Sequence, residues 1–109
     1  MEAYEFDAPL WRWQARAADV WTFVSLPEAL SDEVLELGEP YARGFGSLRV
    51  EVTVGGTVWR TSIFPDAGRR SYVLPVKRAV RDAEGLVVGG PVHARLRLLD
   101  IEARARRGR

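Results

Sequence analysis

Strict alternation of apolar and polar residues between positions 47 and 64 predicts a β-hairpin. The first strand, residues 47–54, directs four apolar side chains to one face: Leu48, Val50, Val52 and Val54. The Gly55-Gly56 pair that follows suits a two-residue turn, because glycine readily adopts the positive φ angles of primed turns. A turn there places Val52 opposite Trp59 in the returning strand, residues 57–64. The apolar face therefore continues across the hairpin.

Four more strands are predicted by period-two patterns or by aromatic and β-branched composition. They cover residues 4–14, 20–24, 71–74 and 92–98. The first of them places Trp11 and Trp13 on one face and Leu10 on the other. Turn residues separate these segments, as at Pro65–Gly68 and Gly89-Gly90.

Apolar residues at helical spacing predict two helices, at residues 27–37 and 76–84. The first carries an apolar stripe: Leu26, Leu30, Val34 and Leu37. Ser25 and Glu28 have the spacing of a capping box, so we expect them to begin this helix. The second helix buries three apolar side chains: Ala79, Val80 and Ala83. A glycine suits the end of each helix: Gly38 and Gly85.

A Leu-Pro pair stands at each transition from strand to helix, Leu26-Pro27 and Leu74-Pro75. The recurrence indicates a weak internal repeat. The hairpin connections favour antiparallel neighbours, and no strand–helix–strand crossover of ordinary size occurs in the pattern. We therefore predict a mainly β fold, a small split β-barrel of about six strands with two short helices. Each Leu-Pro pair forms a corner of this barrel.

The charge distribution separates a basic tail from an acidic body. The 109 residues carry 16 Lys and Arg against 15 Asp and Glu. Four arginines fall within residues 103–109, so the remainder has a net charge of about −3. We predict one β-barrel domain over residues 1–102 and a disordered, solvated tail over residues 103–109. The alternative is that the tail attracts nucleic acid or an anionic surface.

The composition favours a cytoplasmic location. No apolar run approaches the about 20 residues of a membrane span. The first residues, Met1–Tyr4, lack the basic and then apolar pattern of a signal peptide. The chain has no cysteine, which excludes a disulfide framework and thiolate chemistry.

Five segments of the chain, taken in order, resemble a known family. They are Leu10–Trp13, Trp21–Pro27, Gly44–Val50, Trp59–Pro65 and Tyr72–Arg81. The family is the bacterial domain of unknown function nineteen-oh-five. It is similar to a double-split β-barrel and distantly similar to the AbrB and MazE swapped-hairpin domains, which close their barrels by dimerisation. The resemblance implies a single-chain pseudo-dimer, because one chain contains both halves.

The chain departs from AbrB-type domains in two places. Those domains have an arginine shortly after the proline and a Gly-Asp pair before the last strand. Here Arg81 comes late, and the turn is Gly89-Gly90 without an acid. These departures weaken any inference that the chain binds DNA as a symmetric dimer.

The residue inventory indicates no catalytic or metal site. One histidine and no cysteine leave a zinc site almost without ligands. His93 falls among arginines on the outer face of the last strand, where we expect a neutral, solvated imidazole without an orienting acid. Gly44–Gly46 lacks the strand–helix context of a dinucleotide site. We therefore predict a non-catalytic protein with no cofactor and no metal, unless a polar cavity lies inside the barrel.

Two groups of side chains are candidates for binding. The aromatic group either fills the core or forms a pocket or stacking surface for a base or a small ligand, and the candidate pocket is Trp11, Trp13 and Trp59. The members of the aromatic group are Trp11, Trp13, Trp21, Phe23, Trp59, Phe64 and Tyr72. The cationic group comprises Lys77, Arg78, Arg81 and Arg60. It is either a solvated surface or an anion site for an acidic partner, a nucleotide or nucleic-acid phosphate.

The sequence therefore predicts a monomeric binding or accessory module whose ligand is unknown. One alternative is a nucleic-acid or regulatory binding protein, by analogy with AbrB-like domains. A third interpretation, an enzyme, requires the polar cavity mentioned above.

Overall fold

A computed structural model describes residues 3–16, 19–66 and 68–101, which form a closed antiparallel β-barrel. The strands are β1 (Tyr4–Arg16), β2 (Asp19–Ser25), β3 (Leu48–Val54), β4 (Thr57–Asp66), β5 (Ser71–Pro75) and β6 (Pro91–Leu98). Helix α1 (Glu28–Gly38) follows β2, and helix α2 (Arg78–Glu84) follows β5. The predicted small, mainly β barrel is confirmed. The predicted basic tail, residues 103–109, lies outside the described residues.

The barrel has a pseudo-two-fold arrangement. Its strands follow the order β1-β2-β5-β4-β3-β6, and β6 pairs back with β1. Exchanging β1 with β4, β2 with β5 and β3 with β6 leaves this circular order unchanged. Each half therefore contributes three strands and one helix, as expected for a pseudo-dimer within one chain.

The two Leu-Pro corners lie on the same ladder, between β2 and β5, where Val24 faces Leu74. At one end the Leu26 amide donates to the carbonyl of Tyr72 at 2.9 Å. At the other end the Val76 amide donates to the carbonyl of Thr22, also at 2.9 Å. This ladder joins the two halves of the barrel.

A buried serine attaches α1 to this ladder. Ser31 is 4% exposed, and its hydroxyl accepts from the Tyr72 amide at 3.1 Å and donates to the Leu26 carbonyl at 3.3 Å. The buried stripe of α1 consists of Ser31, Val34 and Gly38. Leu37, predicted to be in the stripe, is exposed. A hydroxyl is tolerated in this stripe because both of its hydrogen-bonding functions are satisfied.

The helices begin differently from the prediction. Pro27 caps α1 without a side-chain hydrogen bond, so the predicted capping box of Ser25 and Glu28 is wrong. Ser25 lies in β2 instead. Helix α2 begins at Arg78 rather than at Val76, because the backbone of Val76 is held by the β2–β5 ladder.

The hairpin of β3 and β4 has the predicted register, with Val52 opposite Trp59. Gly55 has a φ of +57°, whereas Gly56 does not have a positive φ, as in a type II′ turn. The core is filled by inward side chains of all six strands together with Val34 of α1 and Val80 of α2. Ala79 and Ala83, which were predicted to be buried, are exposed.

Candidate functional site

The barrel is split beside the first half of β4. Residues 57–63 of this strand pair with β3, but only residues 64–66 pair with β5. Within the described part of the chain, residues 57–63 therefore have no strand neighbour on their other edge. The end of β2, the corner after β5 and helix α2 line the opening, which forms a cleft of about 510 Å³.

The cleft brings together all four residues of the predicted cationic group. Its walls are Trp21, Thr22, Trp59, Arg60, Thr61, Pro75, Val76, Lys77, Arg78 and Arg81. The cations come from β4 on one side and from the corner and helix α2 on the other. Arg60 is 17 or more positions from the other three cations in sequence, yet all four line the same cleft, because β4 and α2 form its opposite sides.

Two of these cations have acidic partners at the surface. The Nε of Arg60 lies 3.4 Å from Glu51, and the Nε of Arg78 lies 3.7 Å from Asp82. Both arginine side chains are mostly exposed, so each pair contributes at most about 1 kcal/mol. The acids do not line the cleft, and the guanidinium groups remain available to a ligand.

Arg81 differs from the other cations because part of its side chain is buried. Its Nε is inaccessible and has no hydrogen-bond partner among the described residues. A buried donor without an acceptor costs about 1–3 kcal/mol. The sequence left open whether Arg81 is solvated or belongs to an anion site. The structure places its half-buried side chain in the wall of the cleft, with the Nε closed off from solvent.

Lys77 lies at the mouth of the cleft, directly before α2. It is exposed, and no ion pair within the described ranges involves it. An ammonium group on a flexible stem adapts to a ligand placed by more rigid groups.

Two indoles supply the apolar part of the lining. Trp59 is 8% exposed and forms the inner wall, whereas Trp21 is 55% exposed and stands at the rim. Trp21 belongs to the predicted aromatic group but not to the predicted pocket, because the register of its strand with β1 was not predicted. The observed register places it opposite Trp13.

The other predicted aromatic residues, Trp11 and Trp13, lie outside the cleft, so the aromatic trio does not form one pocket. Trp11 stacks on Phe23 with ring centroids 4.9 Å apart, and its indole N–H donates to Ser25 at 2.9 Å. The guanidinium of Arg69 lies 3.8 Å from the centre of the Trp11 ring. Trp11 is thus engaged by the barrel itself.

Helix α2 is fixed over the cleft by two contacts. Val80 is fully buried in the barrel core. At the end of the helix, Glu84 accepts a hydrogen bond of 2.6 Å from the hydroxyl of Thr57, at the start of β4. The position of the cationic residues on α2 is therefore set by both the core and the β3–β4 turn.

A hydroxyl at the opposite wall is already engaged. Thr22 donates to the carbonyl of Val76 at 2.5 Å and so fixes the corner after β5. The half-buried Thr61 lies on the β4 side of the cleft.

His93 lies away from the cleft, on the outer face of β6. Its Nδ1 is 2.9 Å from Asp7 and its Nε2 is 3.1 Å from Glu5, both on β1. Hydrogen bonds to Asp7 and then to Glu5 raise the pKa of His93 above 6.5. We expected no acid beside the imidazole, and this expectation is wrong, because the β1–β6 pairing brings both carboxylates to it.

Groups of three or more potential metal ligands do not occur in the described ranges. None of the helices described is long and apolar enough to cross a membrane. A second depression of about 440 Å³ lies between α1 and the β4–β5 turn, but it is lined by acidic and basic residues together.

Comparison with known proteins adds one finding. The model of a family described as a domain of unknown function, DUF1905, matches residues 6–96. The matched region begins in β1 and ends in β6, so it includes both corners and every residue of the cleft. No curated protein matches the sequence.

Proposed function

The chain belongs to the DUF1905 family, and we propose from its cleft that it is a module that binds an anionic ligand with a planar group. The side chain of Arg81 in the wall of the cleft, whose Nε has no partner among the described residues, is the observation that carries this proposal. A carboxylate or phosphate oxygen is the acceptor that best satisfies a guanidinium donor. The indole of Trp59 beside it offers an apolar face on which a planar group stacks.

The distribution of charge supports the same conclusion. The body of the chain is acidic, yet four cations surround one cleft. Helix α1 stands at the equivalent corner of the other half, and its exposed face is acidic: Glu28, Asp32, Glu33 and Glu36. The positive cleft is therefore a local feature of one half, and such a cluster attracts anions.

The proposal assigns binding rather than catalysis. Among the described residues that line the cleft, none is a carboxylate, an imidazole or a thiol. A general base of ordinary type is thus missing beside the place where a ligand would lie. One chain closes the barrel without a second copy, which supports a monomeric module.

The proposal is tested with nucleoside monophosphates, which combine a phosphate with a stacking base. Binding of dTMP and AMP is measured by titration calorimetry at low salt, for the wild type, Arg81→Met and Arg95→Met. Arg95 is an exposed arginine of β6 outside the cleft and serves as the matched control. We expect the control to bind like the wild type and Arg81→Met to bind at least about tenfold more weakly.

Two results would overturn the proposal. The first is that neither mononucleotides nor oligonucleotides bind the wild type. The second is that Arg81→Met and Arg95→Met bind with the same affinity, because the buried donor would then have no role.

A further inference from the structure

Two indoles, one at the rim of the cleft and one outside it, are presented to solvent side by side. Trp13 of β1 and Trp21 of β2 face each other across the ladder and are 51% and 55% exposed. Directly opposed residues on one face of an antiparallel pair have Cβ atoms about 4.5–5.5 Å apart. Large exposed aromatic surfaces of this kind mark interaction sites more often than isolated apolar residues do.

This pair contrasts with Trp11, two positions earlier in β1. Trp11 contacts other residues of the barrel: its ring stacks on Phe23 and lies against the guanidinium of Arg69, and its indole N–H donates to Ser25. No comparable hydrogen bond or ring contact of Trp13 or Trp21 is found in the part of the chain that the structure describes. Their faces are therefore available to a ligand.

The exposed pair is continuous with the cleft, because Trp21 belongs to both. On the far side of the cleft, Arg60 and Thr61 also line a shallower depression of about 360 Å³. That depression adds one more cation, Arg49, and one more exposed aromatic ring, Phe64. Aromatic and cationic side chains thus lie along one path from β1, over the split, to β4 and β3.

The path offers more contacts than a free nucleotide can use. A mononucleotide has one base and one phosphate group, whereas the path presents five cations and two exposed indoles, one of them outside the cleft. A duplex hides the faces of its bases in the stack and cannot use the indoles. An acidic peptide would satisfy the cations but would leave the indole faces without planar partners. Alternating phosphates and unstacked bases match both features.

We propose that the ligand is a segment of single-stranded nucleic acid, which stacks bases on Trp13 and Trp21 and passes its backbone into the cationic cleft. The inference rests on the proposed function, because it places the phosphates at the same donors. It adds a ligand of several nucleotides and a contact outside the cleft. Stacking on an aromatic side chain does not depend on the sequence, because every base has a face that stacks.

The test compares an oligomer with its monomer. Fluorescence anisotropy with labelled dT8, and calorimetry with dTMP, are measured for the wild type, Trp13→Ala, Trp13→Leu and Phe45→Ala. Phe45 is a fully exposed aromatic residue outside the path and is the matched control. The leucine variant keeps an apolar side chain, so that loss of binding in both Trp13 variants reports the lost ring rather than a lost fold.

We expect dT8 to bind at least about tenfold more tightly than dTMP, and both Trp13 variants to lose about tenfold in dT8 affinity. Their affinity for dTMP should be unchanged, because Trp13 does not line the cleft. The logarithm of the dT8 affinity should fall with the logarithm of salt concentration with a slope of about −3 for four phosphate contacts. Arg78→Gln should reduce that slope by about 0.7.

The outcomes separate the two proposals. The inference is wrong if dT8 binds no more tightly than dTMP, or if Trp13→Ala and Phe45→Ala have the same affinity for dT8. In either case, binding of dTMP that depends on Arg81 would still support the proposed anion site in the cleft. If an octaglutamate peptide binds as tightly as dT8, the inference is also wrong, and the ligand is an acidic peptide rather than nucleic acid. Absence of binding by every anionic probe would overturn both proposals.

Discussion

Replacing Ser31 by alanine tests the link between α1 and the ladder that joins the two halves. The change removes the hydrogen bond to Leu26 and leaves the buried amide of Tyr72 without its acceptor. An unpaired buried donor costs about 1–3 kcal/mol. The gain in helix propensity from serine to alanine offsets less than about 0.7 kcal/mol. We expect the free energy of unfolding to fall by about 1–2 kcal/mol.

Thermal and urea unfolding measure this loss. In a domain of this size it lowers the Tm by about 5–10 °C. Hydrogen exchange of the Tyr72 amide should accelerate more than that of amides in the β3–β4 hairpin. Glu36→Ala, at an exposed position of the same helix, is the control and should change the stability by less than about 0.5 kcal/mol. Unchanged stability together with unchanged protection of the Tyr72 amide would refute the reasoning.

Two further predictions concern a titrating group and a turn. Because Asp7 and Glu5 raise the pKa of His93, the protonated imidazole should stabilise the fold below pH 6.5, and this contribution should be lost as the pH rises through the raised pKa. An NMR titration should show a lower His93 pKa in Asp7→Asn than in the wild type, and equal values would contradict the assignment. Gly55→Ala should destabilise the protein by about 1–2 kcal/mol, because φ is +57° there and a Cβ would collide with the carboxylate of Glu84. Gly56→Ala, with open space at its Cβ, is the matched control, and equal Tm values for the two variants would argue against this explanation.

The β3–β4 hairpin was predictable from sequence because several local signals agree there. Period-two alternation, the Gly55-Gly56 turn and the pairing of Val52 with Trp59 all specify one register. The start of α2 was not predictable in the same way. Val76 continues the helical pattern of its sequence, but its backbone hydrogen bonds with Thr22 hold it in the ladder. Tertiary pairing thus overrides local helix propensity.

The cationic part of the site was predictable as a set of residues but not as a cleft. Lys77, Arg78 and Arg81 are close in sequence, and Arg60 lies on the outer face of its strand. These four residues line one cleft because only the end of β4 pairs with β5, which leaves the barrel open beside the rest of β4. No local sequence pattern specifies where this pairing begins. Trp21 was left out of the predicted pocket for a related reason, because its pairing with Trp13 is set by the register of β1 and β2.

The acids beside His93 could not be found from sequence either. They are more than 80 positions away, and they approach the imidazole only because β1 pairs with β6. Contacts that depend on such pairing leave no signal in the neighbouring residues.

The pairing of β1 with β6 also has a consequence for synthesis of the protein on the ribosome. Residues 4–9 find their partners only when residues 91–96 have left the exit tunnel. Until then, β1 and β3 of the nascent chain each present an unpaired edge, which is a template for association with other chains. Pairing across so long a separation is also slow, since loop closure comes before the contacts that stabilise it. A nascent chain halted before β6 is therefore the form of this protein with the greatest need for a chaperone.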